Sequence, residues 1–285
     1  MTELAYVNGQ ILPIEQAVVP IEDRGYNFGD AVYEFFASYR GRLYRVEEHL
    51  NRLERSLREL HFPPVSREEI RDAVLRLYEA SGIERAGLYL QISRAVAPRD
   101  HAFPATGAPQ VIMTVRPVHE KPPELRQSGA AVITVTDIRW ARCDIKTVQL
   151  LPNVLAKQQA VEAGAFDALF VSEDEVVREG TSSNVFIVSA GRLLTHPLTP
   201  RILPGITRQV ILDLCKKLAL PAEERFFSRN DLYAADEAFL SGTVTEVLPI
   251  TRVDGNSIGD GKVGPATQKL YSALREDAGA AEQAS

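Results

Sequence analysis

Apolar and polar positions alternate in short runs and then switch to helical spacing, so the chain reads as interleaved strands and helices. Leu4 to Val7 and Ile11 to Leu12 flank Asn8-Gly9, a pair suited to the positive φ angles of a hairpin turn. Val32 to Tyr39 and Leu43 to Arg45 flank Arg40-Gly41 in the same manner. Helical periodicity then takes over. Glu47 to Leu60 carries Leu50, Leu53, Leu57 and Leu60 on one face. Ser66, with Glu69 three residues on, predicts a capping box. That helix has an Ile70, Val74, Leu77 stripe and ends at Gly82.

Strand-length runs return at Gly87 to Val96 and at Gln110 to Pro117, rich in β-branched and aromatic residues. Residues 119–129 are polar, carry two prolines and lack periodicity. They mark a domain boundary, with one domain over residues 1–120 and a second over 121–285. In the second half the pattern predicts strands at Ala131 to Ile138, Asp167 to Val171, Val176 to Glu179, Val185 to Val188, Glu237 to Leu240 and Glu246 to Ile250. Helices are predicted at Pro152 to Gly164, from about Ile206, and at Ala266 to Leu274. Glu276 to Ser285 reads as a frayed polar tail. Interleaving with several hairpins predicts two α+β domains.

Composition narrows the function. The 285 residues hold 45% hydrophobic and 25% charged residues, ordinary for a soluble globular protein. Acidic residues outnumber basic ones, 38 to 32, which argues against nucleic acid as the main partner. No apolar run approaches the about 18 residues of a membrane span, and the first ten residues do not read as a secretory signal. Cys143 and Cys215 stand alone, as in a reducing compartment, so a cytoplasmic protein is expected. The five histidines are scattered and no zinc spacing occurs, so no metal is expected. Among the basic residues 25 are arginine and only seven lysine, which draws attention to each lysine.

Lys146 follows a strand and sits among Ile145, Val148, Leu150 and Leu151. A lysine stripped of part of its hydration is a nucleophile toward carbonyls. Glu179-Gly-Thr-Ser-Ser-Asn184 puts a carboxylate at a strand end ahead of small hydrogen-bonding residues, Ser183 among them, suited to a ring nitrogen and to anions. Leu203-Pro-Gly-Ile-Thr-Arg208 leads into a helix whose first amides attract phosphate. Ser241-Gly-Thr-Val-Thr245 is a small-residue turn able to do the same. Arg52, with His49 and Ser56, lies off the leucine stripe, where a solvated face is the plain expectation. Pro98-Arg-Asp-His101 presents Arg99 and His101 one residue apart, and arginine grips a carboxylate through paired hydrogen bonds. Each of these is weak alone and also fits an ordinary polar turn or surface.

Together their order resembles one family. Glu22-Asp-Arg-Gly-Tyr-Asn-Phe-Gly-Asp-Ala-Val-Tyr-Glu34, Asp137-Ile-Arg-Trp-Ala-Arg-Cys-Asp-Ile-Lys146, Glu179-Gly-Thr-Ser-Ser-Asn-Val-Phe186, Leu203-Pro-Gly-Ile-Thr-Arg208 and the Pro-Arg-Asp-His loop are similar to segments of the class IV aminotransferases, the fold-type IV pyridoxal-phosphate enzymes. Within them the chain is most similar to the D-amino acid aminotransferases, from about residue 4 to residue 275.

The resemblance implies a two-domain α+β fold, with a smaller N-terminal α/β sandwich-like domain and a larger C-terminal β-barrel-like domain with helices. It implies pyridoxal 5'-phosphate bound by Lys146 as a Schiff base, Glu179 on the pyridine nitrogen, and Leu203 against the ring. Arg52, Ile206, Thr207, Thr243 and Ser183 would complete the cofactor contacts. Tyr33, Arg99 and His101 would trap the substrate carboxylate, with the loop crossing from the second subunit of a homodimer. The implied reaction is ping-pong transfer of an amino group from a D-amino acid to a 2-keto acid. Gly242 and Val244 depart from the pattern, since hydroxyl residues are expected beside Thr243, and Asp100 puts a negative charge between the two carboxylate-binding residues. The competing implications are a branched-chain L-amino acid aminotransferase, an (R)-amine transaminase or an aminodeoxychorismate lyase on the same fold. A non-catalytic cofactor-binding module is the reading from another class.

Overall fold

The structure is a computed structural model that describes residues 3–279. Contacts divide the chain into two compact units. One ends at His119 and also takes in Ile145–Gln149, and the other consists of Glu120–Asp144 and the chain from Leu150 onward. Lys146, expected with the second domain, therefore packs with the first unit.

The first unit is a six-stranded antiparallel sheet under two helices. Its strands are β1 (Leu4–Val7), β2 (Gln10–Pro13), β3 (Ala31–Tyr39), β4 (Arg42–Leu43), β5 (Ala86–Ser93) and β6 (Gln110–Pro117), in the order β2-β1-β6-β5-β3-β4. Asn8 and Gly9 take φ of 46° and 104°, and Arg40 and Gly41 take 46° and 74°, so both hairpin turns form where their residue types predict. A short helix, α1 (Arg24–Phe28), precedes β3. Helices α2 (Val46–Glu59) and α3 (Arg67–Ser81) cover one face. Leu50, Leu53 and Leu57 meet Ile70, Val74 and Leu77 over Val32, Phe36, Leu88 and Leu90 in one buried cluster. Ser66 accepts the Glu69 amide at 3.3 Å and starts α3, and Gly82 ends it with φ 63°.

The second unit is a nine-stranded sheet that curls on itself. Its strands are β7 (Ala130–Thr136), β8 (Asp167–Val171), β9 (Val177–Gly180), β10 (Asn184–Ser189), β11 (Arg192–Thr195), β12 (Ala222–Glu224), β13 (Glu237–Gly242), β14 (Glu246–Val253) and β15 (Asn256–Ser257). The path runs β12-β11-β10-β13-β14-β7-β8-β9. The pairing of Asn184 with Glu179 joins β10 to β9, so the strands from β10 to β9 close into a ring. Closure removes the free edges that an open sheet would expose. β7 runs parallel to β8 and β14. The helices are α4 (Pro123–Ser128), α5 (Leu151–Glu162), α6 (Ile206–Lys217), α7 (Arg229–Tyr233) and α8 (Pro265–Asp277). Both units mix helices with strands, and the barrel-like sheet lies in the second.

Several expectations shift. β5 ends at Ser93, short of Val96, because Arg94 donates its amide to Asp30 and Ala95 accepts from Arg24 in place of a strand partner. β4 ends at Leu43, since Arg45 turns left-handed (φ 56°) and starts α2. The stretch read as an aperiodic linker contains α4, which Pro123 opens at a position needing no amide donor. Strands β11, β12 and β15 and helices α1 and α7 are additional to those predicted. Helix α8 continues to Asp277, where a frayed tail is expected from Glu276, and residues 280–285 lie outside the described part.

Candidate functional site

Strand period decides the first group of residues. On β3, Val32, Glu34 and Phe36 share the face toward α2, and Tyr33 takes the other. Glu34 is thereby placed, fully buried, under the helix. A buried carboxylate needs partners, and α2 supplies two. Arg52 donates Nε and Nη2 to Oε1 and Oε2 of Glu34, at 2.7 and 2.8 Å, and His49 Nδ1 lies 2.7 Å from Oε2. The face expected to be solvated is buried at His49, Arg52 and Ser56, so the buried face of α2 is wider than its leucine stripe. Burial alone would raise the Glu34 carboxyl pKa, but Arg52 and His49 outweigh it and hold the group far below the usual carboxylate range. Burial pushes the His49 imidazole down, against the pull of Glu34, so this histidine is neutral near pH 7.

Lys146 joins this group. Its carbonyl accepts from the Tyr33 amide at 2.9 Å, and Thr147 forms a bridge to Val32, which pins the segment to β3. The Lys146 amide donates to Ser56 Oγ on α2 at 3.3 Å. Its Nζ lies 4.1 Å from the centre of the Tyr33 ring. Tyr33, Arg52 and Lys146 are thus assembled by one strand, one helix and one five-residue segment. The apolar surround expected for Lys146 is only half present. Ile145 is buried and Val148 half-buried, but Leu150 and Leu151 are exposed.

Arg99 and His101 form a second group, exposed on the loop after β5. Phe28, the last residue of α1, has the Arg99 guanidinium carbon 5.0 Å from its ring centre and the His101 ring at 5.5 Å. Asp100 accepts the Ala102 amide through Oδ1 at 3.1 Å, so its carboxylate closes a turn of its own loop.

The third group lies in the second unit. Glu179, at the end of β9, is buried and accepts from Arg139 Nη1 at 2.5 Å, from the Leu203 amide at 3.0 Å and from Asn184 Nδ2 at 3.1 Å. Arg139 is itself held by both oxygens of buried Asp137, each at 2.9 Å, and Arg178 donates to Asp137 at 2.7 Å. Burial raises the Glu179 carboxyl pKa, and Arg139 opposes that rise. Burial works against the Arg139 charge, yet Glu179 and Asp137 raise its pKa further still. Asn184 also donates to the Leu203 carbonyl at 2.9 Å. A β-carbon on Gly205 would overlap the Asn184 amide, so only glycine lets the Leu-Pro-Gly turn pass so close.

Ile206 and Thr207 open α6, which has no side-chain cap at Gly205. Its first amides are left for a ligand or solvent. Ser241, paired with Asn184 across the sheet, is buried, and its hydroxyl lacks a hydrogen-bond partner. Thr243 sits half-buried on the turn after β13. The Ser183 hydroxyl donates to Asp167 Oδ2 at 3.3 Å, and the Thr181 hydroxyl donates to Oδ1 at 2.5 Å.

Sequence reasoning missed Glu34, Arg139, Asp137, Asp167 and Phe28. Glu34 was legible from period two between Val32 and Phe36. The others are ordinary charged or aromatic residues until the fold brings their partners near.

A family model described as Amino-transferase class IV matches residues 31–253. A D-alanine aminotransferase of Bacillus licheniformis is 42% identical over 269 residues, which are 94% of each chain. One from Staphylococcus haemolyticus is 42% identical, covering 95% of this chain and 96% of the relative. Among solved structures, a branched-chain amino acid aminotransferase of Escherichia coli superposes with a TM-score of 0.91 at 27% identity, over 100% of this chain and 97% of the other. A branched-chain enzyme of Thermobaculum terrenum in its PLP holo-form has a TM-score of 0.85 at 28% identity, over 97% of this chain and 94% of the other. The chain belongs to the class IV aminotransferases, a family of pyridoxal-phosphate enzymes.

Proposed function

We propose that the chain transfers the amino group of a D-amino acid, such as D-alanine or D-glutamate, to a 2-keto acid, working with pyridoxal phosphate as a homodimer. The residues suit that cofactor. The uncapped start of α6, the unpartnered buried Ser241 hydroxyl and the Thr243 turn form a donor set for phosphate. The buried Glu179 offers a carboxylate to a ring nitrogen. When bound, pyridoxal phosphate supplies a sink for the electron pair released at the substrate α-carbon.

The chain's own residues do the rest. Lys146 anchors the cofactor and, once released, moves the proton at the α-carbon. Glu179 keeps a proton on the ring nitrogen, and Leu203 packs on the ring. Arg52, held against Glu34, takes the phosphate-binding role on the first unit, and the amides of Ile206 and Thr207 with the Thr243 hydroxyl take it on the second. Ser183, whose hydroxyl also meets Asp167, completes the cofactor contacts. Tyr33, with Arg99 and His101 contributed by a second subunit, binds the α-carboxylate. Val18, Ile21 and Tyr26 are 78%, 80% and 74% exposed on the first unit, an apolar surface that a second copy would cover. Cys143 and Cys215 are free and buried, which favours the reducing cytoplasm.

The observation that carries the D-amino acid reading is the Arg99 and His101 pair. The 42% identity to D-alanine aminotransferases supports it. The branched-chain structures share the fold, and a fold alone does not select a substrate. A paired assay tests the reading, with D- and L-amino acids as donors and pyruvate and 2-oxoglutarate as acceptors. D-alanine and D-glutamate are expected to react much faster than L-leucine or L-valine. Faster turnover of the L-donors or of an (R)-amine overturns it.

A further inference from the structure

The signature Glu22-Asp-Arg-Gly-Tyr-Asn-Phe-Gly-Asp30 is stitched residue by residue to the segment that ends in Arg99 and His101. The Arg24 amide donates to Ala95 at 3.0 Å, the Ala97 amide to Glu22 at 3.2 Å and the Arg94 amide to Asp30 at 3.2 Å. Asp23 caps α1 through the Gly25 amide at 2.7 Å and takes the Ser93 hydroxyl on its other oxygen, also at 2.7 Å. These bonds fix α1 relative to the end of β5.

Two side chains then reach the loop itself. Arg24 is buried and directs its fork at main chain, with Nη1 to the Asp100 carbonyl at 2.6 Å and Nη2 toward the His101 carbonyl at 3.4 Å. Its Nε goes to Asp30 at 2.8 Å, and Arg94 shares that carboxylate at 2.9 Å. Arg94 in turn lies 3.7 Å from the ring centre of Phe103, at the far end of the loop. The Phe28 ring meets both the Arg99 guanidinium and the His101 ring. An exposed arginine has many rotamers, and holding one of them costs entropy. An aromatic face under the guanidinium lowers that cost before any ligand arrives.

We propose that Phe28 and Arg24 are positioning residues for substrate selection: Phe28 orders the Arg99 and His101 side chains as a pair, and Arg24 fixes their backbone. Neither touches substrate. The proposal rests on the reading that Arg99 and His101 bind the α-carboxylate.

The test uses the holoenzyme, with KM and kcat for D-alanine, calorimetric binding of propionate as an unreactive carboxylate, and the bound-cofactor absorption spectrum. Phe28→Leu keeps apolar volume and loses the aromatic face, and Phe28→Tyr restores that face. Arg24→Lys keeps the charge for Asp30 and cannot span two carbonyls. A cation–π contact of roughly 1 kcal/mol predicts that Phe28→Leu raises KM and the propionate dissociation constant about fivefold to tenfold, with kcat and the spectrum little changed. Arg24→Lys is expected to do the same, and Phe28→Tyr to stay near the parent. Parent-like values in both Phe28→Leu and Arg24→Lys overturn the proposal. Joint loss of cofactor, kcat and melting temperature in both also overturns it, since the two residues would then only hold the fold. Arg99→Ala separates the two levels. If it too leaves propionate binding intact, the carboxylate reading has failed, and if it weakens binding while the Phe28 and Arg24 variants do not, only the positioning role has.

Discussion

Glu34 and Arg52 form a two-pronged ion pair out of solvent, with nitrogen to oxygen distances of 2.7 and 2.8 Å. Removing the charge of one partner leaves the other buried and uncompensated. Glu34→Gln is expected to cost about 3 kcal/mol or more in urea unfolding. Acid sensitivity follows with a definite sign. The folded-state pKa of Glu34 is depressed, so its contribution is present above the ordinary carboxylate range and declines as pH falls below it. His49 is also depressed, so the unfolded chain binds its proton more readily, and stability declines below about pH 6.5. The parent should therefore lose stability in two steps on acidification. Glu34→Gln should lose the lower step.

Lys146→Ala should bring transamination close to background while the first unit keeps its melting temperature, because the side chain contributes one ring contact to that unit. Borohydride should bleach the yellow colour of the parent and leave the cofactor covalently attached at Lys146, and should attach none to the variant. Substantial turnover by the variant without added amine would remove Lys146 from the reaction.

Arg139→Gln removes the cation that opposes the raised pKa of buried Glu179. Glu179 then stays protonated to higher pH and, in the role proposed for it, serves the ring nitrogen less well. A charge-assisted hydrogen bond of about 1.5–3 kcal/mol implies a loss of roughly tenfold or more in kcat/KM at neutral pH. The acid limb of the rate profile should move to higher pH, and an unmoved limb would contradict the role given to Arg139.

At Gly242 a serine fits. An added β-carbon would lie 3.4 Å from the Ser182 carbonyl and 3.6 Å from Thr245, ordinary contact distances. Gly242→Ser should change stability by less than about 0.5 kcal/mol. On the proposed phosphate site it should slow cofactor dissociation, measured by dialysis against a competing apoenzyme. Unchanged release would place that turn away from the phosphate.

Glu237 caps α8 from strand β13, accepting the Ala266 and Thr267 amides at 3.0 and 2.8 Å and the Thr267 hydroxyl at 2.7 Å. A β-carbon on Gly264 would overlap that carboxyl. Glu237→Ala should cost about 1–3 kcal/mol. Gly264→Ala should be damaging in the parent and nearly harmless in the Glu237→Ala background, a coupling that a double-mutant cycle reads directly.

What the sequence determined by itself was local. Hairpins form at Asn8-Gly9 and Arg40-Gly41 because those turns need residues that tolerate positive φ. Helices α2 and α3 form because leucine spacing and a Ser66 cap act within a few residues. The motif order around Lys146, Glu179 and Leu203 carried the family for the same reason, since each motif is a contiguous string. Tertiary structure decided everything that depends on a distant partner. It buried the Arg52 face of α2, which helical spacing read as solvated, because β3 brings a carboxylate beneath it. It moved Lys146 into the first unit, because the Tyr33 amide and Thr147 bridge pair it with β3. It paired Ser183 with Asp167, set Arg139 on Glu179 across forty residues, and placed Phe28 beside Arg99. Charge and hydrogen-bonding capacity can be read from one residue, but their effect is set by whichever group the fold places within about 3 Å.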